Sequence, residues 1–422
     1  MSEQHLLAFL LQVVVLVVVA RAGGELAIRL GIAPVVGELA LGICIGPSLL
    51  GRLWPAGFAS LFPSDALQRG LLEMFAWVGV IFLVLIAGVE THLDAIRKTG
   101  RAVITAWIGG FLLPFMLGLG LGWVIPGRLM GPGIQRPVFA LFVATALSIS
   151  AVPVIVRILM DLDQFGTRVA TVIVSAAMAD DTVGWIILGV VNALMARKGL
   201  DGNTVAFALG GTGLFIISAF TVGQRFVSRA IVGAGKLKSP FPQATIILAI
   251  VFIGGAVTQA IHVHLVLGVF VAGVLIARTA WTSIESETIK AIRQVGMAFF
   301  VPFFFSYSGV KVDLSTLDGS TLTVAGGAVL VACIGKLAGG GLGAALGGLS
   351  RWESLAVGAG LNARGAMELV IAGIGLSIGL LTPAMYAVFV LIAVVTTLMA
   401  APLLRYCIAK ADPASLSTTE SA

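Results

Sequence analysis

Apolar side chains fill this chain in blocks of roughly 20 residues, the length a helix needs to cross about 30 Å of hydrocarbon. The blocks lie near 5–31, 34–50, 71–90, 102–126, 136–160, 166–196, 203–230, 241–261, 263–279, 294–310, 320–348, 354–381 and 383–408. They predict about thirteen spans, each a helix, because an open strand edge in lipid leaves backbone groups unpaired. The connections are short and none reads as a soluble domain. One membrane domain is expected over 1–410, followed by a polar, disordered cytoplasmic tail over 411–422.

Composition agrees with this pattern. Of the 422 residues, 59% are hydrophobic and 11% charged, against about 25% charged in soluble domains. The mean hydropathy is +1.08, so lipid is the solvent for most side chains. Lys and Arg number 26 against 20 Asp and Glu. In a soluble protein that excess would point to nucleic acid; here it reads as loop charge, and no nucleic-acid partner is expected. Basic residues concentrate on the side reached after odd-numbered spans, among them Arg97, Lys98, Arg101, Arg225, Arg229, Lys236, Lys238, Lys290 and Arg293. The positive-inside bias then places the N-terminus outside and the C-terminus in the cytoplasm of a multi-pass protein of the cell (inner) membrane. Cys44, Cys333 and Cys407 show no metal or disulfide spacing. Without a nucleotide loop, metal cluster or nucleophile triad, neither enzymatic activity nor a bound cofactor is expected.

Glycine supplies 53 residues, close to double the usual share of about 7%, and small residues let helix backbones approach in lipid. Their arrangement says more, because the two halves of the chain echo each other. VVGELALGI carries Gly37 and Gly42 where VLGVFVAGV carries Gly268 and Gly273. Gly88-Val89 precedes Leu93 as Gly309-Val310 precedes Leu314, and Gly109 in IGG recurs as Gly335 in IGK. Asp180-Asp181 sits where Thr396-Thr397 sits in the second half. Matching elements lie seven spans apart, an odd number, so the copies run in opposite directions through the membrane. The expected fold is an all-α polytopic membrane protein with two inverted repeats and crossed discontinuous helices, an architecture that places ion sites near the midplane.

Charges inside the spans carry the chemistry. Asp180 and Asp181 stand mid-span in GTRVATVIVSAAMADDTVGWIILGVVNAL. Two carboxyls at the bilayer centre are costly and must face a partner or a water-filled cavity. Successive helical residues project about 100° apart, so one acid can face water while the other turns to a neighbouring helix. A carboxylate so placed can be neutralised by a proton or by a cation, which is a physical basis for antiport. Lys336, mid-span in VLVACIGKLAGGGLGAALG, is positioned to pair with Asp180 or Asp181. Helix breaks are expected in two spans. VATALSISAVPVIVRILMDL offers Thr145, Ser148, Ser150 and Pro153; GAGLNARGAMELVIAG offers Asn362, Arg364, Gly365 and Glu368, with Arg364 and Glu368 spaced to pair on one helix face. Glu38 reads as a cavity-lining acid or an interfacial helix-end carboxyl, His262 and His264 as solvated loop histidines, and Ser306 and Tyr307 as packing groups.

At this point the chain resembles the sodium/proton exchangers of the monovalent cation:proton antiporter-2 family. The resemblance runs over nearly all of residues 5–408 and rests on PVVGELALGICIGPSLLG, FLVLIAGVETHLDAIRKTG, the paired acids of AMADDTVGW and LNARGAMELVIAGIG. It implies a homodimer in which a core bundle, near 102–196 and 320–408, slides against dimerisation and scaffold helices near 5–90 and 203–310. Carried onto this chain, Asp181 is implied to bind the transported Na⁺ and the proton, and Asp180 to partner Lys336. The double-aspartate form is similar to electrogenic members that exchange two protons for one sodium.

The expectation is therefore a secondary sodium/proton antiporter working by alternating access, with monovalent cations, protons and the bilayer as its partners. Water must then reach at least one of the two acids. A potassium/proton exchanger is the nearest alternative. An organic-anion symporter on a similar scaffold has no natural use for two central acids and a lysine, and a channel or ion-sensing receptor would be marked by currents above carrier turnover or by absence of transport.

Overall fold

A computed structural model describes residues 3–63, 65–90, 100–162, 164, 167–196, 202–237, 241–261, 263–283 and 286–411. Arg97, Lys98, Lys238, His262 and the tail from 412 onward lie outside them. The described chain is helical, with one isolated bridge between Met130 and Leu381. Eleven of its helices are long and apolar enough to cross a membrane, rather than the thirteen expected. The two remaining predicted spans fall short by length: 136–160 is divided into Arg136–Ser148 and Val152–Asp161, and 263–279 corresponds to Leu265–Ser283 with a shorter apolar stretch.

The chain forms two compact units. The first gathers Met1–Val18, Ala59–His92 and Trp185–Tyr307. Within it, Ala66–Glu90 packs on Leu265–Ser283 at Gly88 and Gly273, where a Cβ on Gly273 would stand 2.9 Å from the Gly88 Cα. Leu265–Ser283 meets Pro242–Ala260 in the same way, Gly268 lying on the Gly254 backbone. Phe75 fills the interior against Phe299, Phe300 and Phe303 with mostly edge-on ring contacts. The chain passes through π-helical turns at Ala219–Gly223 and Gly296–Phe300.

The second unit gathers Val19–Phe58, Leu93–Gly184 and Ser308–Ala422. Its long pair is Gly100–Val124 and Gly319–Leu346, seated on each other at Gly109 with Gly339 and at Gly335 with Pro114. Gly37 lies on the Gly23 backbone, and Gly309 on the backbone at Leu39 to Ile43. These contacts give the repeat a physical meaning. Gly37 and Gly268 each rest on the glycine fourteen residues earlier, and the matched pairs Gly88/Gly309 and Gly42/Gly273 reappear as one close contact in each unit. A methyl group has no room at Gly23, Gly37, Gly88, Gly254, Gly268, Gly273 or Gly309, and dispersion between backbones in contact helps hold helices together in lipid.

Asp318 starts the helix that carries Lys336 by accepting from Thr321 N at 2.7 Å. Arg128 Nη1 donates to the same carboxylate at 3.0 Å. The Thr321 hydroxyl first, and then Arg128, hold this exposed carboxyl well below the usual carboxylate range.

Candidate functional site

The first break separates Arg136–Ser148 from Val152–Asp161, and both Ile149 and Ala151 are extended. Pro153 stands at the start of the second half-helix, not at the break itself. There its missing N–H costs nothing, since the first amides of a helix lack partners anyway. The second break runs between Arg351–Leu361 and Ala366–Ser377. Gly365 opens the new half-helix at φ +134° and ψ −109°, a conformation closed to side-chain-bearing residues. The two breaks touch: Ala151 N donates to Ala363 O at 3.0 Å, and Ser150 Oγ to Leu361 O at 2.8 Å. Backbone groups freed by each interruption are thereby satisfied by the other.

Buried cations cover the negative end of the first half-helix. Lys336 Nζ donates to Ser148 O at 2.5 Å and to Asp180 Oδ2 at 2.6 Å. Arg364 donates through Nη1 to Ala146 O at 3.0 Å and through Nη2 to Leu147 O. Three successive orphan carbonyls thus find charged donors, where a helix C-terminus carries about half a negative charge. Ser150 Oγ also lies 2.9 Å from Asp180 Oδ2, so its single proton is shared between that carboxylate and Leu361 O. In the second half of the chain Thr397, the position matched to the acids, donates to Arg364 O at 2.7 Å. Asp180 and Thr397 therefore each hold a break, one through Ser150 and the other through Arg364.

The neighbouring carboxyl is left over. Asp181 is 2% exposed and its Oδ1 has no hydrogen-bond partner. Among the described residues four buried carboxyls, Glu38, Asp180, Asp181 and Glu368, share the unit with two buried cations, Lys336 and Arg364. Glu368 lies 3.8 Å from Arg364 Nη1 and neither of its oxygens has a hydrogen bond. The expected pairing is present but loose, because Arg364 spends its terminal donors on carbonyls. Asn362 is fully buried, its amide nitrogen 3.7 Å from Cys333 Sγ and its oxygen without a partner.

Other expected residues stand elsewhere or play quieter parts. Thr145 and Ser148 hydroxyls bond back to Leu141 O and Ala144 O, each at 2.7 Å, within their own helix. The expectation that one aspartate faces a water-filled cavity is not met: both are sealed, Asp180 at 1% exposure. His264 is buried rather than solvated; its Nδ1 accepts from Val266 N at 3.3 Å and its ring lies 5.4 Å from Trp77. Ser306 is fully buried with an unpartnered hydroxyl. The carbonyls of Ala146 and Leu147 were not foreseeable, since backbone acceptors leave no mark on side-chain patterning; only the predicted break pointed toward them.

The family model described as sodium/hydrogen exchanger, transmembrane, matches residues 13–406. The chain is 31% identical to the Na(+)/H(+) antiporter NhaS4 of Synechocystis sp., covering 96% of this chain and 98% of that protein. It is 29% identical to the Na(+)/H(+)-K(+) antiporter GerN of Bacillus cereus, again over 96% and 98%. It is also 32% identical to Cation/H(+) antiporter 18 of Arabidopsis thaliana, over 93% of this chain but 48% of that longer protein. In fold it is similar to the sodium proton antiporter MjNhaP1 from Methanocaldococcus jannaschii, with a TM-score of 0.67 at 17% identity over 98% of this chain and 99% of the other.

Proposed function

Because this chain belongs to the sodium/hydrogen exchanger family, we propose that it is a secondary antiporter that moves Na⁺ against protons, both competing for Asp181. The observation that carries this reading is an unpartnered carboxylate oxygen, sealed beside a neighbour already committed to lysine. An ionised Asp181 without a counter-ion is costly in this setting, and a proton or an alkali ion relieves that cost. Alternation follows from the same cost: the bundle rearranges when the site is neutralised and resists doing so when it is bare. The sealed acids correspond to an occluded stage of the cycle, with access to either side arising from movement of the bundle that carries the crossed breaks. Asp180 and Lys336 form the charged pair beside the site, and the crossing residues Ser150, Asn362, Arg364 and Glu368 shape it.

A potassium-transporting variant of the same exchange is kept as a second reading by the name of the Bacillus cereus relative. Oxygen ligands on one carboxyl do not by themselves choose between alkali ions. We further propose a homodimer in the cell membrane with its N-terminus outside and its C-terminus in the cytoplasm.

The test is cation-induced proton movement in proteoliposomes, compared across Na⁺, Li⁺ and K⁺. Asp181→Asn should abolish exchange of every cation the wild type carries, while leaving the protein folded. Exchange that persists in this variant with an unaltered pH profile would reject Asp181 as the shared site.

A further inference from the structure

Glu38 is a buried acid that the crossing does not use. It stands one turn into Pro34–Ile45 and is 6% exposed. Opposite it, Glu3–Arg29 presents Gly24, where a Cβ would come within 3.2 Å of Glu38 Oε1. The absent side chain leaves the space that the carboxyl occupies. Gly23 and Gly37 bring the two backbones into contact just beside this point. No hydrogen bond to Glu38 is present among the described residues, and the charge that acts on it is Arg21. A carboxyl kept for packing or for holding helices together would be expected to have donors around it. This one is buried against Gly24 without a donor among the described residues.

Its position is informative in two directions. Val35, three residues earlier and on the same face of the helix, lies against the second break: a Cβ on Gly365 would meet Val35 Cγ1 at 3.6 Å. Glu38 is therefore about one 5 Å turn from a residue in contact with the crossing. In the other direction the last turns of Glu3–Arg29 carry Arg21, Glu25 and Arg29, all exposed, with Glu25 and Arg29 paired at 3.0 Å. All these residues belong to one compact unit. Glu38 thus stands between the charged end of Glu3–Arg29 and the crossing that holds the sealed acids.

We propose that Glu38 is an entry site for cations on the cytoplasmic side, a carboxylate that takes an alkali ion transiently before Asp181 receives it. The proposal rests on the reading of the chain as a cation/proton exchanger. Arg21 opposes it: its positive charge competes with the arriving ion for the same carboxylate, so the two residues set the local ion concentration with opposite signs.

The experiment uses the full chain in proteoliposomes. Glu38→Gln should raise the apparent KM for Na⁺ several-fold while kcat stays near the wild-type value, and Glu38→Asp should restore the KM. Arg21→Gln should move the KM the other way. A purely structural role would instead lower kcat and the folded yield together and leave KM in place, and that result overturns the proposal, as does a wild-type KM in Glu38→Gln. A second measurement does not depend on turnover. In a background with Cys44, Cys333 and Cys407 changed to Ala, Glu38→Cys should react with a membrane-impermeant cationic thiol reagent supplied to the cytoplasmic face in inside-out vesicles. A thiol unreactive from that face overturns the entry site even if exchange is intact. Absence of any cation-driven proton movement in the wild type counts against the exchange reading instead, and the labelling result still decides whether a water-borne cation reaches position 38.

Discussion

Asp180 and Lys336 look at first like a stabilising ion pair, yet burial makes the pair conditional. Removing one partner of a buried pair costs about 3–5 kcal/mol, whereas replacing both by neutral groups is often near neutral. Lys336→Met should therefore lower thermal stability strongly, leaving Asp180 with Ser150 as its remaining donor. Adding Asp180→Asn to Lys336→Met should recover most of that loss, a coupling that a double-mutant cycle of unfolding temperatures measures directly. If the pair also changes protonation during transport, the double variant should exchange ions while losing the response to imposed voltage; an unchanged response would confine the pair to a structural part. Asp180, Asp181 and Lys336 were legible in the sequence for a simple reason, that an ionised group in an apolar run must be compensated. Which acid took the lysine followed only from the family resemblance until the 2.6 Å contact assigned it to Asp180. That both acids are closed off from water was not legible, since access depends on conformation and not on residue type.

At the scale of the helix, the two interruptions differ in how the sequence announced them. Proline marked the first span correctly but not the break itself, which falls at the extended residues just before it. The second was marked by Asn362, Arg364, Gly365 and Glu368 together, and of these Gly365 is the turning point. Its φ of +134° separates it, and space does not: a Cβ there would meet Val154, Thr397 and Val35 only at ordinary contact distances of 3.4–3.6 Å. The cost of Gly365→Ala is thus backbone strain of about 1–3 kcal/mol, expected as a lower unfolding temperature together with impaired exchange. Gly373, in the same half-helix, has ordinary helical backbone and open space where its Cβ would be. Gly373→Ala should be neutral or stabilising by up to about 1 kcal/mol. Equal losses in both variants would show that the break tolerates a side chain and that strain at Gly365 is not what fixes it.

For the molecule as a whole, the repeat constrains what the span count leaves open. Hydropathy gave thirteen segments and the structure has eleven helices long enough by the same measure, because a half-helix such as Val152–Asp161 is too short to be counted and yet belongs to a crossing pair. The eleven are not a count of crossings, so opposite faces for the two termini remain part of the proposed topology, which the thirteen expected spans support. An odd separation between matched elements is also what makes the copies inverted, and inversion is what lets one crossing serve a path from either side. The reciprocal glycine contacts, Gly37 on Gly23 and Gly268 on Gly254, are the packing expression of that relation. Epitope tags at the two ends, probed in intact and in permeabilised cells, should show the N-terminal tag outside and the C-terminal tag reachable only after permeabilisation, the cytoplasmic end being fixed by loop lysines and arginines. Tags on the same face would require an even number of crossings and would overturn the proposed topology, while the inverted relation of the copies, which depends only on the odd separation of matched elements, would stand. Tags on opposite faces but reversed would keep the inverted repeat and would invert the direction assigned to exchange across the cell membrane.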